Sequence, residues 1–126
     1  MSIKFDKIID DLRELDRSLN YSFSRKNNAT NIYLENNGIF SNLTPIIISE
    51  NCLLKSISAS TDGNENWIAE IHGNGTLISG ATLNIVSSDS GIENDLYINI
   101  PAGTKLSVYC NGINIRKPNV TIELIK

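Results

Sequence analysis

From about residue 31 to the C-terminus the chain is a series of short apolar runs, each closed by turn-forming residues. The runs are NIYLE, PIIIS, CLLKSISAS, NWIAEIHG, GTLISGATLNIVS, DLYINIP, TKLSVYCN and NVTIELIK. They are rich in Ile, Leu, Val and Tyr, which suit a pleated, half-buried surface. Several alternate: Leu96, Ile98 and Ile100 share one face of a strand, as do Leu106, Val108 and Cys110, and then Val120, Ile122 and Leu124. Between the runs lie ENNG, DGNEN, GNG, SSDSG, PAG and NGI, whose Gly, Asn, Asp and Pro favour turns. Strands spaced roughly ten residues apart, with no helix between them, predict a mainly β domain. The expected architecture is an antiparallel, jelly-roll-like β-sandwich over residues 31–126.

The N-terminal part has a different period. Phe5, Ile8, Leu12, Leu15 and Leu19 follow one another at spacings of 3, 4, 3 and 4, the seam of a coiled coil, and Ile9 widens the stripe. Acids crowd the first turns, where a helix dipole favours them. Residues 1–22 are therefore expected to contain a short amphipathic α-helix. It is too short to stand alone, so its apolar face must pack on something. The polar stretch beginning at YSFSRKNNATN reads as a connector, assigned to residues 23–30, that leads away from the helix. That favours an oligomeric bundle of two or three copies over docking on the chain's own domain.

The totals narrow the function. A chain of 126 residues with 40% hydrophobic residues is long enough for one domain with its own core. A formal charge of −3 argues against a nucleic-acid surface, which needs clustered Lys and Arg. No segment is apolar enough to span a bilayer as a helix, and MSIKFDKIIDDLRELDRSL, with acids throughout, does not read as a secretory signal. A chain made in the cytosol is expected. Cys52 and Cys110 are too few for a disulfide framework and read as buried thiols.

The stretch ENWIAEIHGNG holds the only Trp and the only His. On a strand, Trp67, Ala69 and Ile71 point one way, and Ile68, Glu70 and His72 the other. The first set reads as core. Glu70 and His72 then lie side by side on a solvated outer face, and Gly73-Asn74-Gly75 turns the hairpin. A working acid–His pair needs a nucleophile or metal and a pocket, none of which is visible, so no catalytic residue is assigned. DGNENW spaces Asp62, Asn64 and Asn66 like the start of a calcium loop. Trp67 and Gly73 stand where an EF-hand needs Gly and Glu, which leaves a weak calcium candidate beside a plain hairpin turn. GTLISGAT has phosphate-loop glycine spacing but Ala81 in place of the essential Lys. No cofactor is expected. Tyr97 and Tyr109 fall opposite the apolar sets of their strands and are candidate surface-binding residues, for a glycan or a subunit contact.

Two stretches carry a family resemblance: LKSISASTDGNENWIAEIHGNG and PAGTKLSVYCNGINIRKPNVTIELIK. They resemble small β-sandwich domains of bacteriophage virion proteins, such as head fibres, capsid decoration proteins and tail-associated fibres. The shared features fall on Ile57, Thr61, Asp62, Gly63, Trp67, Glu70, Asn74, Gly75, Ala102, Gly103, Cys110, Gly112 and Pro118. The resemblance implies a non-enzymatic structural role, a trimeric assembly and a location in the virion, assembled in the bacterial host cytoplasm. Its implied partners are other copies of the chain, other virion proteins and a host surface glycan. It carries over no catalytic residues, and the chain departs from long fibres in having no shaft.

Overall fold

The structure, a computed structural model, describes residues 18–126. The chain is mainly β, and no helix occurs among the described residues. Ten strands follow in order: β1 Ser18–Ser24, β2 Ile32–Tyr33, β3 Glu35–Asn36, β4 Ile39–Phe40, β5 Ile46–Ile47, β6 Cys52–Gly73, β7 Thr76–Glu93, β8 Ile98–Ile100, β9 Lys105–Asn111 and β10 Asn119–Ile125. Every paired ladder is antiparallel.

The organising element is the long hairpin of β6 and β7. The turn between them is Asn74-Gly75, with φ of 54° and 83°, and Gly73 pairs with Thr76 across it. Both central residues at positive φ match the right-handed twist of the flanking strands. On the edge of β6 away from β7, its first half pairs with β10 and its second half with β9. β1 lies beyond β10, and β2 and β5 lie on β9. One hydrogen-bonded sheet is thereby led around a single core. That core takes Phe23 from β1, Leu54, Ile57, Trp67 and Ile71 from β6, Leu83 and Ile85 from β7, Leu106 and Val108 from β9, and Val120, Ile122 and Leu124 from β10.

β6 crosses the molecule by means of two irregularities. Near its start, Leu54 faces Leu124 and Ser56 faces Glu123, so Lys55 is an extra residue. This bulge moves the inward positions from Cys52 and Leu54 to Ile57 and Ala59. Midway, Ser60 pairs with Ser90 and Glu65 with Ser88, which leaves residues 61–64 opposite Asp89 alone. Here DGNEN and SSDSG, each read from sequence as a turn, lie across from one another on paired strands. Two turn signals at one level make a bend in a continuous ribbon, so the separate runs CLLKSISAS and NWIAEIHG are one strand of 22 residues.

The N-terminal assignment changes as well. Phe5, Ile8, Leu12 and Leu15 of the expected seam lie outside the described residues, but Leu19 does not. It is in β1, paired with Leu124 and packed on the core. Leu19 fits two periods at once, the 3-4 spacing before it and the alternation Leu19, Tyr21, Phe23 after it, and pairing with β10 selects the second. The expected connector 23–30 is also part of the domain. Phe23 and Ala29 are fully buried, and Ala29 and Ile115 exchange two backbone hydrogen bonds of 2.8 Å. Polar side chains had suggested a linker, but the backbone of this segment is tied down.

Candidate functional site

The second half of β6 places Trp67, Ala69 and Ile71 in the core, as the alternation required. Glu70 and His72 project from the opposite face, also as expected. His72 is not solvated as expected: it is only 9% exposed, while Glu70 is half-buried. Glu70 pairs with Tyr109 of β9, and Tyr109 pairs with Tyr33 of β2, so the two tyrosines are brought onto the face that carries the imidazole.

His72 stacks on the Tyr109 ring at 5.4 Å with 23° between the planes. The Tyr33 ring stands edge-on to both, at 5.3 Å from His72 and 5.0 Å from Tyr109. These separations are normal for favourable aromatic pairs. A chain of polar contacts runs through the cluster. The Tyr33 hydroxyl lies 2.9 Å from His72 Nδ1, His72 Nε2 lies 2.9 Å from Glu70 Oε1, and Asn111 Nδ2 donates to Glu70 Oε2 at 2.9 Å. With Glu70 ionised, its carboxylate accepts from His72 Nε2–H, and Nδ1 then accepts from the Tyr33 hydroxyl. One ring nitrogen's partner thereby fixes the tautomer for the other.

This order of groups, carboxylate to imidazole to hydroxyl, has the outline of an activated nucleophile. Burial, then the neighbouring Tyr109 and Glu70, push the Tyr33 hydroxyl above its ordinary value. A phenol held protonated is a hydrogen-bond donor, here toward His72 Nδ1.

Asn111 links this cluster to a cleft of about 450 Å³ lined by Asn31, Glu65, Asn66, Asn111, Gly112 and Ile113. Its floor requires glycine: a Cβ on Gly112 would come within 2.8 Å of Trp67 Cβ and Ile115 Cγ1. The wall is set by the bend in β6. Arg116 donates from Nε to Glu65 Oε1 and from Nη2 to the Asn64 carbonyl, while the Asp62 amide donates to the Arg116 carbonyl.

That clamp lies at the residues of the calcium candidate. At Asp62, Asn64 and Asn66 the positive charge is the Arg116 guanidinium, and Asn66 Oδ1 is taken by the Ser87 amide at 2.8 Å. No group of three or more His, Cys, Asp or Glu that could hold a metal occurs among the described residues. The oxygen-rich turn is a clamped bend in the strand rather than an open loop.

Of the two tyrosines singled out from sequence, the fold brings only Tyr109 to this site. It is half-buried rather than exposed. Tyr97 is 51% exposed and precedes β8, beside the Cys52–Leu54 end of β6. Sequence reasoning passed over Tyr33 and Asn111. Tyr33 sits in a two-residue strand, 39 positions from His72, and no local period marks it. Asn111 was one Asn among many, although its place two residues after Tyr109 on the same strand face was a usable signal.

The fold and the site together define a mainly β, antiparallel domain with a fixed aromatic and amide-bearing face. No family model matches the chain, and no curated protein matches it. No helix among the described residues is long and apolar enough to cross a membrane.

Proposed function

We propose that this chain is a non-enzymatic binding module of the virion type that its sequence resembles: a short head-fibre, decoration or tail-associated fibre protein. On this reading residues 18–126 form a jelly-roll-like sandwich head. The preceding segment, with Phe5, Ile8, Leu12 and Leu15, gathers copies into a trimer. The working surface is the outer face bearing Tyr33, His72 and Tyr109. One observation carries the reading. The Tyr33 and His72 rings are tied by hydrogen bonds to one another and to Glu70, and Tyr109 is stacked against His72, so the half-buried tyrosines offer rigid contact area with little entropy to lose on binding. Aromatic side chains fixed in this way are what recognition surfaces are enriched in.

Three linked heads would multiply weak contacts to a capsid, another fibre subunit or a host surface. Light scattering on the full chain tests the assembly. A trimer is expected, and replacing Leu12 and Leu15 together with Asp should give folded monomers; a wild-type monomer removes the avidity argument. Tyr109→Ser tests the surface. It should abolish retention of the labelled chain on bacterial envelopes that retain the wild type, and unchanged retention would clear Tyr109 of any role. A second reading, a lectin-like module, is favoured by the amide-lined cleft that adjoins the aromatic face.

A further inference from the structure

We infer that the cleft between the bend of β6 and the end of β9 is a binding site for a neutral carbohydrate, one presenting neighbouring hydroxyls or an N-acetyl group. The inference deepens the reading of this chain as a binding module, and of its lining residues only Asn111 is shared with the aromatic face.

The side chains lining the cleft are anchored from behind. Asn31 is held through Oδ1, which accepts from the Gly112 amide at 3.1 Å. Asn66 is held through Oδ1, which accepts from the Ser87 amide. Asn111 is held through Nδ2, which donates to Glu70. Each bond uses one end of an amide that has a donor end and an acceptor end. Among the described residues, the Nδ2 groups of Asn31 and Asn66 and the Oδ1 of Asn111 have no protein partner. Glu65 is held in the same way. Arg116 engages Oε1, and the side chain is 12% exposed. The cleft therefore offers two fixed amide donors, one fixed amide acceptor and one carboxylate oxygen.

That mixture suits hydroxyl groups, which donate and accept at once and so can bridge an amide donor and a carboxyl or carbonyl acceptor. Ile113, 71% exposed at the rim, supplies an apolar contact for the C–H side of a sugar ring. The charge pattern limits the class further. The guanidinium beside the cleft, Arg116, is committed to Glu65 and to the Asn64 carbonyl. With Glu65 in the lining and Glu70 behind Asn111, a uronate or sialyl carboxylate would meet like charge. A volume of about 450 Å³ lies within the range of small-molecule sites.

The test is to record amide spectra of the isotope-labelled full chain during titration with glucose, galactose and methyl N-acetylglucosaminide, with glucuronate as the anionic counter-probe. Saturable shifts at Asn31, Asn111, Gly112 and Ile113 with at least one neutral sugar, and not with glucuronate, are expected. Asn111→Ala should then weaken that sugar about tenfold. Ile113→Ala, at an exposed position, should weaken it several-fold without loss of fold. An equal response to glucuronate overturns the assigned class. No saturable shift with any neutral sugar overturns the site. Shifts confined to Tyr33, His72 and Tyr109 also overturn it, while leaving the aromatic face as the binding surface. Failure of the aromatic-face reading is a separate result, read from the retention of Tyr109→Ser.

Discussion

The two faces of β6 between Trp67 and His72 are made from one six-residue stretch and are held by different forces. The inner face, Trp67, Ala69 and Ile71, is buried among apolar neighbours and is fixed by packing. The outer face, Glu70 and His72, is nearly as sheltered at His72, yet it is fixed by directional bonds to Tyr33 and Asn111. Packing forces are non-directional and tolerate any shape that fills the space. A hydrogen-bonded cluster specifies orientation, because a misplaced partner leaves a sheltered polar group unmet. The inner face accordingly sets stability, and the outer face sets the positions of the rings that the proposed function uses.

Ile71→Ala should break the inner face and have the largest effect. A fully buried Ile cut to Ala typically costs about 2–5 kcal/mol, read as a loss of denaturant midpoint with the slope unchanged. His72→Ala comes next. It removes the partner of both Glu70 and the Tyr33 hydroxyl, at about 1–3 kcal/mol. Its more telling effect is on order: the near-ultraviolet circular dichroism of the tyrosines should collapse while the strand signal stays. If His72→Ala costs as much as Ile71→Ala, the two faces are not separate in kind.

Alkaline pH sharpens the same contrast with a smaller effect. Burial pushes the Cys110 thiol on the inner side up to about 12, from an ordinary value of 9.0. The folded chain keeps a proton that the unfolded chain gives up. The stability linked to that proton is complete below pH 9.0 and falls as pH rises toward about 12. The slope is about 1.4 kcal/mol per pH unit. Cys52 and Tyr33 are also raised by burial and add slopes of the same sign, Tyr33 from 10.0 upward. Stability curves at stepped pH should therefore be shallower for Cys110→Ala than for wild type. Equal slopes would mean that the thiol is not kept protonated by the core.

Much of this was legible locally. The alternation in Leu106, Val108 and Cys110 and in Val120, Ile122 and Leu124 named the inward faces of β9 and β10, because a strand repeats every two residues whatever it pairs with. Asn74-Gly75 named its own turn for the same local reason. The length of β6 was not legible, since DGNEN bends a strand or ends one according to what lies across from it. Nor was β1, where SLNYSFS alternates strictly but the heptad spacing reaches into it at Leu19 and competes with the strand period.

The sequence by itself determined a mainly β chain, the inward side of most strands and the placement of Glu70 beside His72. All of these follow from backbone periods of a few residues. Only the tertiary structure decided that His72 is sheltered, that Tyr33 caps it and that Asn111 joins it to the cleft. Those contacts span 39 and 41 positions of chain. They exist because β2 and β9 pair in one register beside β6, and a register shift of one residue would turn every one of these side chains to the other face.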